Sequence, residues 1–210
     1  MSGRPGSNLR HATPSLTPGP DRLQSLADFW LGVPDAAGAY RPRKVWFEKD
    51  AVFDAEVRRR HLADHEAAAA GDFDHLATAP LPALAIVILL DQVPRNIFRG
   101  NARAYATDAK ALATAEAAIA RGFDMAIHRE ARLFFYSPFE HSEDLATQER
   151  SVELVERRRG CEGFEFSRYI IKRHHEIIAR FGRFPHRNPV LGRETTPEEA
   201  AFLEEKHSAF

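Results

Sequence analysis

Two arginine-rich segments carry the side chains of this sequence that are best suited to binding chemistry. The first, from Asp91 to Gly100, follows the most apolar run of the chain, and the second, from Phe181 to Asn188, follows an amphipathic stretch. Each combines an apolar anchor, a proline that fixes the backbone, and an Arg-Asn pair at a helix end. Because guanidinium groups bind phosphate or carboxylate through paired hydrogen bonds, we predict an anion-binding site. Its members are the arginine and asparagine side chains of the two segments: Arg95, Asn96, Arg99, Arg183, Arg187 and Asn188.

The same side chains also have a purely structural interpretation. The arginines would then pair with Asp91, with Glu143 and with the carbonyl groups at the ends of neighbouring helices, and so fix the loops in place. Proline and asparagine suit that role too, since both shape turns. The sequence leaves both interpretations open. The question that separates them is whether Arg95-Asn96 and Arg187-Asn188 face the same pocket.

A set of histidines and carboxylates is the weaker candidate for acid–base chemistry. A histidine titrates near neutral pH, and a nearby carboxylate can orient its ring. The candidates are three histidines as acid or base and two carboxylates as orienting groups: His141, His174, His186, Asp91 and Glu143. Such an enzyme requires a histidine and a carboxylate that share one concave pocket within hydrogen-bond reach.

Two of these histidines have simpler explanations. His141 precedes Ser142 and Glu143, which resemble the N-cap and the acidic first turn of a helix. His174 lies on an apolar helical stripe, where a hydrogen-bonded core histidine is the commoner arrangement. Sequence neighbours at a helix start do not converge on one proton, so catalysis at His141 needs a partner from elsewhere in the fold.

Composition and motifs argue against several other functions. A net charge of −1 over 210 residues gives no reason to expect nucleic acid as a partner. The sequence has no P-loop, no dinucleotide fingerprint and no His-Glu-x-x-His spacing, so we expect neither a cofactor nor a metal. The longest apolar stretch, Leu81 to Leu90, is far shorter than the ~20 residues that span a bilayer, and no signal peptide is recognisable. With Cys161 as the single cysteine, we expect a cytoplasmic protein.

Helical patterns run through most of the chain. Residues 1–20 are rich in Gly, Pro, Ser and Thr and are predicted to be disordered, whereas 21–210 are predicted to form one all-helical domain of seven or eight helices. The apolar run Ala83 to Leu90 suits either a central strand or a buried helix, and the prolines before it favour the helix.

Three capping signals set the expected helix starts. Asn101 is a plausible N-cap for a helix that runs to about Arg121, and Ser142 for one that runs to about Arg159. The stretch Thr196-Pro197-Glu198-Glu199 has the pattern of a capping box at the start of the last helix.

Three motifs in order make the chain resemble a known family. They are Leu89–Gly100, Phe134–Glu143, and Phe181–Asn188 followed by Leu-Gly-Arg. The sequence from about Leu23 to Leu203 is similar to the bacterial family catalogued as domain of unknown function 924. That resemblance implies an all-helical, tetratricopeptide-like stack of helical hairpins, and it implies no reaction. The family pattern has Phe where Val93 stands and Met where Glu140 stands, so Glu140 adds a charge beside His141.

Three functional hypotheses follow. The first is a binding module whose arginine-rimmed groove holds an anionic small molecule or an acidic peptide. The second is an enzyme in which a histidine and a carboxylate act on an anionic substrate. The third is a structural or interaction protein whose motif side chains lock the loops between helices, with function on another surface such as a homodimer face.

Overall fold

The structure is a computed structural model that describes residues 19–36, 39–206 and 208–209. Within these residues it is all helical, which confirms the predicted fold class. The predicted disordered segment 1–20 lies outside the described residues except for its last two, and Pro20 already begins the first helix. The described α-helices are α1 (Pro20–Leu31), α2 (Ala51–Ala70), α3 (Pro80–Ile97), α4 (Asp108–Ala120), α5 (Leu133–Glu140), α6 (Leu145–Val155), α7 (Phe164–Phe181) and α8 (Pro197–Leu203).

Helix α3 is the centre of the fold. It packs against α1, α2, α4 and α5, so it has neighbours on every side. Its residues from Ala83 to Leu90 are therefore buried all round, which explains why the run lacks a polar face. Pro80 occupies the first helical position, where the missing N–H costs nothing. The choice of helix over strand for this run is confirmed.

The first arginine-rich segment is largely helix rather than the loop that was expected. α3 continues to Ile97 and contains Pro94. Proline lacks the N–H that would bond to the carbonyl of Leu90, but the hydroxyl of Thr107 donates to that carbonyl at 2.5 Å. A side chain from outside the helix thus replaces the missing hydrogen bond. Arg95, directly after the proline, is therefore part of the helix.

Two of the expected helix starts are displaced. Asn101 does act as a cap, since its side chain accepts from the backbone N–H of Arg103, but it begins a short 3₁₀ helix, and α4 starts later, after Thr107. The N-cap of α6 is Asp144, whose carboxylate accepts from the N–H of Thr147, rather than Ser142. A 3₁₀ turn therefore intervenes before α4, and a second polar residue takes the cap of α6. The capping box of Thr196 and Glu199 is confirmed.

The second arginine-rich segment lies on a separate small core. Gly182, with φ 66°, ends α7 in the left-handed conformation that favours glycine, and residues Pro185–Arg187 form a 3₁₀ turn. This core consists of side chains from α7, the segment and α8: Ile177, Ile178, Phe184 and Phe202. Two aromatic side chains near the start of α7 lie outside its buried face, since Phe166 and Tyr169 are 56% and 49% exposed.

No helix among the described residues is both long enough and apolar enough to traverse a lipid bilayer. The helices pack in sequence order for much of the chain, with α2 on α3, α3 on α4, α5 on α6, and α6 on α7. The tetratricopeptide-like stacking implied by the resemblance stays a prediction.

Candidate functional site

The two arginine-rich segments line one cleft, with a volume of about 460 Å³. The end of α3 and the 3₁₀ turn after α7 form two of its walls, and His141, directly after α5, lines it as well. Seven of the predicted side chains meet there: Arg95, Asn96, Arg99, His141, His174, His186 and Arg187. The arrangement answers the question that the sequence left open for Arg95-Asn96 and Arg187.

A histidine–carboxylate pair lies at this cleft. His141 Nδ1 is 2.7 Å from Asp91 Oδ1, and the carboxylate of Asp91 is fully buried. Gln92 donates to the other oxygen of Asp91 at 2.7 Å, and Arg95 lies 3.2 Å from the carboxylate. Burial acts to raise the pKa of Asp91, but the charges of His141 and Arg95 outweigh it and hold the pKa below its usual value.

The pair fixes the chemistry of the imidazole ring. Because the ionised carboxylate of Asp91 can only accept, His141 Nδ1 must donate to it. In the neutral ring Nε2 is then the acceptor, the form in which a histidine serves as a general base. Of the requirement for an enzyme, the hydrogen-bond reach between a histidine and a carboxylate is present: His141 lines the cleft, and Asp91, which is fully buried and does not itself line the cleft, holds its ring.

The arginines at the end of α3 already have carboxylate partners. Arg95 makes two hydrogen bonds to Asp108, at 2.8 and 2.9 Å, in addition to its contact with Asp91. Arg99 donates to Asp54 at 2.5 and 3.0 Å, and Asn96 donates to the same carboxylate. Much of the positive charge of these two arginines is therefore compensated within the protein.

Arg187 is the least compensated arginine of the cleft. It is 6% exposed and lies against the rings of Tyr105 and Phe184, with its guanidinium carbon 4.6 and 4.3 Å from their centroids. Its Nη2 donates to the carbonyl of His141 at 3.1 Å, its Nη1 is 3.7 Å from Asp108, and its buried Nε has no hydrogen-bond partner among the described residues. Burial, then the charge of Arg95, lowers its pKa to about 10, so it stays charged at neutral pH.

The two other histidines of the cleft are kept neutral. Burial, followed by the charge of Arg187, lowers the pKa of His186 to about 4. Burial also lowers the pKa of His174 well below its usual value, and the charge of His141 contributes in the same direction. His174 Nδ1 donates to the carbonyl of Ile170 at 2.9 Å. It is thus the hydrogen-bonded core histidine expected from its stripe, and it also lines the cleft.

Three candidates lie outside the cleft walls and hold the second segment in place. Arg183 makes two hydrogen bonds to Glu199 of α8, at 2.6 and 2.8 Å, and Asn188 donates to the same carboxylate at 3.2 Å. Glu143 binds Arg193 through two hydrogen bonds and accepts from the backbone N–H of Phe184. For Arg183, Asn188 and Glu143, the geometry therefore matches the structural interpretation of the arginine-rich segments.

Several residues of the cleft were missed by sequence reasoning. Trp46 and Phe47 line it from a 3₁₀ turn between α1 and α2, and Gln92 and Tyr105 complete its walls. The adjacent aromatic pair in a connecting segment was a usable signal, because binding residues concentrate on such segments. Asp108 gave no signal of its role, since an acidic residue in the first turn of a helix is ordinary. Within the described chain, no group of three or more His, Cys, Asp or Glu side chains is arranged to hold a metal ion.

Comparisons with known proteins place the chain in a family. A solved structure of a protein of unknown function from Agrobacterium tumefaciens is 44% identical, with a TM-score of 0.76, and the match covers 87% of this chain and 96% of that one. Among curated proteins there is no match. Residues 26–207 match the family described as "Bacterial protein of unknown function (DUF924)". The chain, as its three motifs indicated, belongs to the DUF924 family.

Proposed function

We propose that this protein is an enzyme that binds a small anionic substrate, a phosphate or carboxylate compound, and moves a proton with His141. The observation that carries the proposal is the 2.7 Å contact of His141, which lines the same cleft as Arg187, with the buried carboxylate of Asp91. His141 thus combines a ring held by a carboxylate with a guanidinium group in the same cleft, the two elements that acid–base chemistry on an anionic substrate needs.

In this proposal His141 is the general acid and base. Asp91 holds the ring through Nδ1, so Nε2 takes a proton from water or from a substrate hydroxyl and later returns it. Gln92 and Arg95 fix the carboxylate of Asp91 in turn, which keeps the ring in one orientation and one tautomer. Asp91 is therefore a positioning residue.

Arg187 is the anion-binding residue. Stacking between two aromatic rings fixes the plane of its guanidinium group, and burial strengthens its attraction for an anion. Its partners in the protein are one backbone carbonyl and a carboxylate at 3.7 Å, so it retains capacity for an anionic ligand. Arg95 and Arg99 add positive potential to the cleft and shape its wall. Their carboxylate partners reduce the attraction that each can exert on an anion.

Binding without chemistry is the second candidate, with an anionic small molecule or an acidic peptide as ligand. The feature that favours it is the further basic side chains that line the cleft, Lys49 and Arg99, although Glu48 lines it too. An acidic peptide would use these basic side chains as well as Arg187, whereas an enzyme of the proposed kind needs His141.

Thermal unfolding in the presence of inorganic phosphate or acetate tests the binding step. A ligand that binds the folded state raises its stability by RT ln(1 + [L]/Kd), so the unfolding temperature should rise with concentration. We expect Arg187→Gln to abolish the rise. Arg150→Gln removes the same charge from an exposed ion pair with Glu153 outside the cleft, and should keep it. A rise that survives in Arg187→Gln contradicts the assignment.

Turnover of a panel of phosphate esters and carboxylate esters tests the chemical step. His141→Asn should lower the rate by about 10²–10⁴-fold, as is usual for a lost general base, and should keep the Arg187-dependent thermal shift. The exposed His75→Asn serves as the matched control. A rate unaffected by His141→Asn refutes the catalytic role, and binding with no turnover anywhere in the panel supports the second candidate.

A further inference from the structure

A second, smaller pocket opens beside the cleft, with a volume of about 120 Å³. Four residues line both spaces: Trp46, Phe47, Gln92 and His141. The two spaces are therefore adjacent, and His141 lies on the boundary between them. A molecule that reacts at His141 has room to extend in both directions.

The side pocket differs from the cleft in chemistry. Its walls come from α5 and α7 and are mainly apolar: Leu133, Phe134, Phe166 and Ile170. The hydroxyls of Ser137 and Ser167, which also face it, are engaged by the carbonyl of Leu133 at 3.0 Å and by Arg158 at 2.7 Å. The space thus offers few polar partners and suits a hydrocarbon group.

Two large rings stand exposed at this pocket. Phe47 is 55% exposed and Phe166 is 56% exposed, and both line the side pocket. An apolar occupant would remove part of both rings from water, which is favourable in proportion to the area covered. A dry cavity of about 150 Å³ holds benzene, so a space of this size takes one aromatic ring or a short hydrocarbon chain.

The charges around His141 fix the direction in which a substrate would lie. Glu140 lines the side pocket, whereas Arg187 and Arg95 line the cleft. Burial raises the pKa of Glu140, and the nearby charge of Asp91 acts in the same direction. An anionic group at the side-pocket end would meet the carboxyl group of Glu140 in place of guanidinium groups, so the anion belongs at Arg187 and the uncharged end at Glu140.

We propose that the substrate is amphiphilic: it carries an aromatic ring or short hydrocarbon chain that occupies the side pocket, joined to a phosphate or carboxylate group in the arginine-lined cleft. This inference rests on the proposed function and names the substrate class of that site. The reacting atom then lies between the two groups, next to His141. Trp46 and Phe47 are specificity-determining residues, since they form the wall that both spaces share.

Binding of non-reacting phosphonates tests the proposal. Methylphosphonate is compared with phenyl-, benzyl- and 2-phenylethylphosphonate, which place a ring at increasing reach from the same anion. We expect at least one aromatic compound to bind about tenfold or more tightly than methylphosphonate, measured by calorimetric titration of the full chain.

Two variants and one control locate the gain in affinity for the aromatic compounds. Ile170→Phe fills the side pocket and should remove the aromatic advantage while methylphosphonate still binds, whereas Leu145→Phe adds the same ring on exposed α6 and should change nothing. Phe166→Ala should reduce the aromatic advantage with little loss of stability, because Phe166 is 56% exposed.

The failures are distinguishable. Equal affinity for methyl and aromatic phosphonates, or an advantage that Ile170→Phe leaves intact, overturns the substrate class and leaves the anion site standing, provided that methylphosphonate binding depends on Arg187. Absence of binding by every phosphonate, together with no Arg187-dependent shift in phosphate or acetate, overturns both the substrate class and the proposed function.

Discussion

At the scale of single residues, the buried histidines of the cleft couple stability to pH. The pKa of His186 is lowered from 6.5 to about 4, mainly by burial and then by the charge of Arg187. Between these two values the unfolded chain binds a proton that the folded chain does not. The contribution of His186 to the free energy of unfolding is therefore fully kept above pH 6.5. It is lost as the pH falls from 6.5 towards 4.

We expect this single group to lower the free energy of unfolding by roughly 2 kcal/mol between about pH 7 and about pH 5, because a tenfold difference in proton affinity between the folded and unfolded chains corresponds to ~1.4 kcal/mol. His186→Gln should show a shallower loss over the same range in urea unfolding. The loss will not vanish, because the pKa values of His65 and His174 are also lowered by burial. His75→Gln, at an exposed position, is the control. Identical pH slopes for wild type and His186→Gln would contradict the prediction.

The Asp91–His141 pair shows how far a sequence can predict a site at this scale. Both residues were candidates by their chemistry, but 50 positions separate them, and packing of α3 against α5 brings them together. Glu143, two positions from His141, was the other orienting candidate, although sequence neighbours at a helix start were not expected to converge on one proton. In the fold it points to Arg193 and Phe184, because neighbours at a helix start diverge. The sequence therefore identified Asp91 and His141 as candidates by residue type, but it could not predict that they pair with each other.

At the scale of elements, the continuation of α3 through Pro94 depends on a bond from outside the helix. Thr107 donates to the carbonyl that proline leaves without a partner. We expect Thr107→Val to cost about 1–3 kcal/mol, the usual penalty for an unsatisfied buried carbonyl. In the Pro94→Ala background the restored N–H should take over that carbonyl, so the same substitution should then cost less. Denaturant unfolding of the four proteins gives the coupling.

Thr114→Val is the matched control for this cycle. Its hydroxyl also donates to a carbonyl, that of Lys110, but this carbonyl belongs to an uninterrupted turn of α4. The cost there should be small and independent of Pro94. Equal costs for Thr107→Val with and without the proline would show that the hydroxyl does not compensate for it.

The hydrogen bond from Thr107 to α3 also shows which elements could be predicted from the sequence and which could not. Local signals placed the starts of α3 and α8: the prolines before the apolar run and the capping box of Thr196 and Glu199. A proline inside a helix ordinarily ends it, so Asp91 to Gly100 was taken for a loop. The compensating hydroxyl of Thr107 comes from the next connection and leaves no mark within the segment itself.

At the scale of the whole molecule, the cleft joins two separately packed cores. Asp91 and Arg95 belong to α3 in the main core, whereas Arg187 is placed by the small core of α7, the second segment and α8. Phe184 links the small core to the anion site, since it packs in that core and its ring also lies against the guanidinium group of Arg187. The anion site should therefore be sensitive to α8, although α8 contributes no side chain to the cleft walls.

Phe202→Ala tests this dependence. Phe202 of α8 is 1% exposed and packs with Phe184, so its truncation should lower the free energy of unfolding by about 3–5 kcal/mol. It should also weaken phosphate binding severalfold, because Arg187 loses its fixed support. Leu26→Ala removes a buried side chain from α1 in the main core and should lower stability by about 2–5 kcal/mol without affecting the phosphate affinity.

Affinities should be measured by titration well below each unfolding transition, so that loss of folded protein does not imitate loss of binding. If both truncations weaken binding equally, the cleft senses overall stability and not the small core. If Phe202→Ala binds phosphate as tightly as wild type, Arg187 is held by Tyr105 and the carbonyl of His141 alone. A selective loss in Phe202→Ala would establish that α8, through Phe184, sets the position of the anion-binding guanidinium.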